Sequence, residues 1–202
     1  LPFWIEDERV HSDSPPADFD ADFIFLARRE DDKGLRELIR ATGILAKEVT
    51  DLRVRIAGPG CCSPFKTLAD ECGASENISF CSLPGRADAM QALSRSRFLV
   101  LPSYHEGYPL SLLEAAQYSV PVIATDVGSI REVFGECEGC CIIPPRDVDS
   151  LVVAMKSRFE MESGNYIAAR RAVHMRFAEI SSEVTVRHRL MRTLFGEQSV
   201  PC

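Results

Sequence analysis

From residue 23 onward, short apolar runs alternate with longer amphipathic stretches. The runs 23–27, 53–57, 78–81, 98–101, 120–124 and 140–143 are too short for helices and are rich in Val, Ile and Phe, so they predict strands. Between them, apolar residues recur at helical spacing over 33–47, 65–72, 87–94, 110–118, 130–134 and 147–162. The remainder to about residue 195 reads as helical and rich in Arg. Strands that are apolar on both faces and alternate with helices imply βαβ units, hence a parallel sheet covered on both sides. The expected fold class is α/β, a Rossmann-like doubly wound parallel sheet with C-terminal helices. Residues 1–22, with several acids and the pair Pro15-Pro16, read as a linker or the end of a preceding domain. The Rossmann-like domain is expected over 23–163 and a helical tail over 164–202.

Composition narrows the function classes. The chain has 202 residues, enough for one domain with a proper core, and a formal net charge of −7. An acidic balance argues against a general nucleic-acid binder. No run approaches the roughly 20 apolar residues of a spanning helix. Eight cysteines stand at 61, 62, 72, 81, 137, 140, 141 and 202, without a disulfide-framework spacing. Cys137-Glu-Gly-Cys140 lacks the second Cys-x-x-Cys of a four-thiolate zinc site. The cysteines read as reduced thiols, consistent with a cytoplasmic place, or a peripheral membrane association of a longer protein. Asp18-Phe-Asp20 contains the Asp-x-Asp pattern of some metal sites, but it lies in the polar lead-in and reads as solvated. No metal or other cofactor is expected.

In doubly wound sheets ligands bind beyond the carboxyl ends of the strands, so the segments after each strand carry the chemistry. After the first strand, Arg28 and Lys33 flank the start of the next helix, with Asp31 or Asp32 as its cap. Two cations beside free helix N–H groups suit a phosphate; equally, they suit surface pairing with the acids at 30–32. After the second strand, Gly58-Pro59-Gly60 permits a tight turn, but the dinucleotide fingerprint is incomplete and no acid follows about 20 residues on. The fourth strand leads into Tyr104-His105-Glu106-Gly107-Tyr108-Pro109-Leu110. Gly107 allows backbone approach, and Pro109 suits a first helical position, where its missing N–H is no loss. Glu114 follows Leu110 by four residues, so both share a helix face, and its carboxylate can accept from a ribose diol. His105 reads as a surface histidine. Asp126 and Glu132, after the fifth strand, reach ligand or cap helices.

Together these segments resemble the C-terminal half of a retaining glycosyltransferase of the GT-B fold, family 4 (glycosyltransferases group 1). The Glu-x7-Glu motif matches Glu106 to Glu114. The Gly-Arg-x4-Lys-Gly segment resembles Ala27-Arg28 through Lys33-Gly34. Ala124-Thr125-Asp126-Val127-Gly128-Ser129 through Glu132-Val133, and Pro144-Pro145-Arg146-Asp147, match two more motifs in order. Ala27, Ser119 and Ser129 stand where the family usually has Gly. The resemblance implies that Arg28 and Lys33 hold the diphosphate of a nucleoside-diphosphate sugar. It implies that Glu106 faces the donor sugar, that Gly107, Tyr108, Pro109 and Leu110 hold phosphate and sugar through their backbone, and that Glu114 holds the ribose. It also implies a missing N-terminal acceptor-binding domain, so this chain alone would bind the donor without efficient transfer. A nucleotide-sugar-sensing regulatory module and half of a GT-B-fold sugar-nucleotide epimerase are the alternatives.

Overall fold

The computed structural model describes residues 15–107 and 110–195, with side chains through 182. Six parallel strands form one sheet in the order β3-β2-β1-β4-β5-β6: β1 (Ala21–Leu26), β2 (Val54–Ala57), β3 (Ile78–Cys81), β4 (Ser96–Leu101), β5 (Val122–Thr125) and β6 (Cys140–Ile143). The helices α1 (Leu35–Leu45), α2 (Ser63–Cys72), α3 (Arg86–Ser94), α4 (Leu110–Gln117), α5 (Ile130–Phe134), α6 (Val148–Phe159) and α7 (Ser163–Phe195) connect and follow the strands.

Alternation along β1 explains the layers. Phe23 and Phe25 enter one core cluster with Leu38, Ile39, Phe65 and Met155. Ile24, one residue out of step, enters the other with Leu99, Leu112, Leu113 and Phe134. Both faces are therefore covered, which is why the strands read as continuous apolar runs. Phe23 pairs in register with Val54 on one side and Phe98 on the other, placing β1 in the middle of the sheet. Helix α7 packs on α4, burying Val173 and Ile180, and Tyr166 at its start donates a hydrogen bond to Arg97 O at 3.0 Å.

Several boundaries move for physical reasons. Strand β1 begins at Ala21, so Asp22 lies inside it, 8% exposed, accepting from Arg53 N at 2.8 Å. Asp20 binds Arg95 at 2.8 Å. Asp20 and Asp22 are thus ion-paired at the strand's N-terminal end, Asp22 also buried, whereas Asp18 is exposed as the polar lead-in suggested. The helix expected over 33–47 is broken: a 3-10 turn covers Asp31–Lys33, and Gly34, at φ 67°, separates it from α1. Neither Asp31 nor Asp32 caps a helix; they lie inside that turn, and Asp31 instead pairs with Arg36 at 2.6 Å.

Asp147 does cap α6, accepting from Ser150 N at 2.9 Å and Ser150 Oγ at 2.7 Å. The Ser150 backbone bond, then its hydroxyl, hold the Asp147 carboxyl below the usual carboxylate range. Its stabilising effect is therefore present above the ordinary value of 3.8 and is lost as pH falls through the lowered folded value. Asp147→Ala should lower the thermal midpoint near neutral pH. The gap to the wild type should close in strong acid. A gap that stays constant with pH would mean the carboxylate is not the cap.

Candidate functional site

The strand order reverses between β1 and β4: the chain winds outward through β2 and β3, then returns to the other side of β1. In sheets of this kind the ligand crevice lies at the switch point, here beyond the carboxyl ends of β1 and β4. The two segments that flank it are 28–34 and 102–107.

These segments are tied together. Tyr104 N donates to Asp32 O at 2.8 Å. Gly34 lies against Pro102, so that an added Cβ would stand 1.8 Å from Pro102 O. Lys33 Nζ donates to Glu106 Oε1 at 3.0 Å, and Ser103 Oγ donates to the same oxygen at 2.7 Å. The Lys33 and Glu106 side chains are 14% and 13% exposed, which keeps their ion pair largely out of solvent while leaving a path to it.

The loop after β5 clasps the same segment from the other side. Thr125 Oγ1 donates to Ser103 O at 2.5 Å. Gly128, at φ 56°, approaches so closely that a Cβ would stand 1.8 Å from Glu106 O. Ser129 Oγ donates to Gly107 O at 2.9 Å, so the serine in the place of a usual glycine fastens this loop rather than merely filling it. A Cβ on Gly107 would meet nothing within 4 Å, so its backbone borders open space.

The expected residues are not all gathered. Lys33 and Glu106 are brought together. Arg28 instead pairs with Glu30 at 2.8 Å, the two side chains 60% and 45% exposed. This is the surface pairing that the local sequence equally allowed, and an exposed pair is worth only about 0–1 kcal/mol, so an anion can displace it. Glu114, on α4, pairs with Arg86 Nη1 at 2.7 Å. Burial first, opposed by Arg86, raises its carboxyl above the usual range. Leu110 opens α4 and is 52% exposed. Tyr108 and Pro109 lie outside the described residues. Asp126 pairs with Arg131 at 2.8 Å, and Ser129 occupies the cap position of α5, so neither Asp126 nor Glu132 caps it.

Sequence reasoning missed Ser103, Arg86 and the partnership of Tyr104. Arg146 stacks over the Tyr104 ring at 4.6 Å. Burial, then the Glu37 carboxylate, push the Tyr104 hydroxyl up to about 12. For Arg86 a signal existed: a cation in the first turn opposes the helix dipole, a choice that local stability does not favour.

Among the described residues no group of three His, Cys, Asp or Glu is placed to hold a metal ion. Burial pushes the Cys137 and Cys140 thiols up, away from the reactive thiolate. No helix among the described residues is long and apolar enough to cross a membrane.

The six-stranded parallel sheet flanked by helices defines an α/β domain of the Rossmann-like class, with a cation–carboxylate pair at its switch point. The chain belongs to the glycosyl transferases group 1 family, whose model matches residues 6–172. It is 28% identical over 143 residues to the putative glycosyltransferase EpsD of Bacillus subtilis, covering 69% of this chain and 36% of that one. It is 32% identical over 112 residues to D-inositol 3-phosphate glycosyltransferase of Mycobacterium sp., covering 52% and 25%. The chain spans about a third of the length of the first curated relatives it matches. In fold it resembles the C-terminal domain of the group 1 family protein LpcC from Francisella tularensis (TM-score 0.69, 19% identity, 80% of this chain and 86% of that chain). It also resembles Anabaena HepE, solved in complex with UDP and glucose (TM-score 0.72, 18% identity, 86% and 48%).

Proposed function

We propose that this chain is the donor-binding half of a retaining glycosyltransferase and holds a nucleoside-diphosphate sugar in the crevice between β1 and β4. The observation that carries this reading is the Lys33–Glu106 pair at the switch point, one member from each flanking loop. Lys33 meets the diphosphate as a point charge. Arg28, released from Glu30, adds a planar fork. Glu106 faces the donor sugar, while the backbone of Gly107, Tyr108, Pro109 and Leu110 lies against phosphate and sugar. Glu114 accepts from the ribose diol. As the sugar leaves the nucleotide, negative charge grows on the diphosphate, and two cations beside helix and loop N–H groups stabilise it without a metal. The acceptor is bound by an N-terminal domain of the longer enzyme, a reading supported by this chain's match to only about a third of its relatives' length. Alone, the chain binds donor and transfers little or no sugar.

The test is thermal shift with UDP, GDP, ADP and their sugars. The wild type should respond to one base family. Arg28→Ala, Lys33→Ala and Glu114→Ala should each reduce the response. A wild type that responds to none of them sinks the donor-site reading. Sugar transfer by the 202-residue chain to an added acceptor would overturn the claim that it is half an enzyme.

A further inference from the structure

Glu114 is the acid at the nucleoside end of the proposed site, and its surroundings pull its charge in two directions. Its side chain is 18% exposed, on a helix whose neighbouring residues Leu112, Leu113, Ala115 and Ala116 are all buried. Such a setting disfavours a carboxylate. A neutral carboxyl would be a poor partner for a diol, because one of its oxygens becomes a donor. Arg86 is the countervailing group. It opens α3 directly after Gly85, and its Nη1 stands 2.7 Å from Glu114 Oε1. Its own side chain is 54% exposed, so it reaches inward from solvent at the rim. It also stands against the dipole of α3, a cost that the carboxylate partner offsets.

We infer that Arg86 is a positioning residue for ribonucleotide binding, holding the Glu114 carboxylate ionised and aimed so that it can accept from a ribose diol. The inference rests on the donor-site reading and concerns its nucleoside end. Arg86 acts through Glu114 and occupies one of its oxygens. A carboxylate has about four acceptor positions, so the guanidinium and a diol can share it.

The chemistry predicts a signature. Burial already raises the Glu114 carboxyl, and Arg86 opposes that rise. Without Arg86 the rise goes further, so the protonated form persists to higher pH. Ribonucleotide affinity should then fall as pH falls, beginning at a higher pH than in the wild type. α4 carries no other charge. α3 adds Asp88 in its first turn, and α7, which packs on α4, carries Arg170, Arg171, His174, Arg176 and Glu179 along its described side chains. A Glu114→Gln background separates their effects from that of Glu114.

The experiment is calorimetric titration of the 202-residue chain with whichever of UDP, GDP or ADP stabilises the wild type, and with its 2′,3′-dideoxy form, across pH. Arg86→Met should bind the ribonucleotide roughly tenfold more weakly near neutral pH, the scale of one charge-assisted hydrogen bond. Its acid limb should move to higher pH. The dideoxy nucleotide should bind wild type and variant alike. Arg86→Lys should restore part of the loss, and in Glu114→Gln the Arg86 substitution should change nothing further. Equal ribonucleotide affinity in wild type and Arg86→Met would overturn the inference and leave the donor site standing. So would an equal loss for both nucleotides that persists in Glu114→Gln, since Arg86 would then touch the ligand directly. A wild type that binds no nucleotide would overturn both readings.

Discussion

Gly34→Ala should cost about 2–5 kcal/mol of unfolding free energy and remove nucleotide binding with it. Two terms add. Gly34 sits at φ 67°, in the left-handed region where a Cβ costs about 1–2 kcal/mol. The new methyl would also stand 1.8 Å from Pro102 O. Pro102 is buried directly after β4, and the atom met is its backbone oxygen, so the clash cannot be relieved by a side-chain rotation. Either the 3-10 turn or the β4 loop must move, and the Lys33–Glu106 pair spans those two segments. The natural control is Gly73→Ala. Gly73 has nearly the same angle, φ 68°, but nothing lies within 4 Å of its would-be Cβ. It should lose only about 1 kcal/mol, partly offset by the reduced freedom of the unfolded chain. Chemical denaturation of the two variants decides the matter. Equal losses would mean that backbone angle alone matters at Gly34 and that the close approach does not.

Lys33→Met should separate stability from binding when it is compared with Lys33→Met/Glu106→Gln. The single change leaves a carboxylate that is 13% exposed with Ser103 but no cation. Breaking a fully buried pair costs about 3–5 kcal/mol, and partial exposure here should reduce that to roughly 2. The double change removes both charges, and Gln at 106 can still accept from Ser103, so most of the stability should return. Nucleotide binding should not return. Both variants should bind a nucleoside diphosphate at least about tenfold more weakly, because the diphosphate has lost its cation. Wild-type affinity in the double variant would remove Lys33 from the phosphate site. A double variant as unstable as the single one would show that the pair's geometry, rather than its charge balance, holds the two loops.

Much of the architecture was legible along the chain. The runs Ile78–Cys81 and Cys140–Ile143 and the helical turn Ile130–Phe134 keep the limits that their apolar pattern predicts. Burial on both faces makes each strand a compact apolar word, bounded by polar loops. The misreading at 33–47 has a different origin. Helical spacing continues through Gly34, yet the backbone breaks there, because the chain must clear Pro102, just beyond a strand far away in sequence. No local pattern reports that neighbour. The same holds for Asp22, the last residue of the expected linker, which Arg53 joins only through the pairing of β1 with β2.

The site divides in the same way. Read along the chain alone, it is already plain which chemical groups stand after which strand: Arg28 and Lys33 after the first, Glu106 and Gly107 after the fourth, and Glu114 one helical turn into α4. Those are properties of residue type and spacing, and they survive any arrangement of the strands. Which of these groups meet depends on the arrangement of the strands in space. Putting β4 beside β1 brings Lys33 to Glu106 across 73 positions of sequence. Packing α3 near α4 brings Arg86 to Glu114, while Arg28 turns to Glu30 in its own loop. The physical reason is range. Periodicity and turn chemistry act over a few residues, whereas a charge selects its partner by distance in space, and that distance is set by strand order.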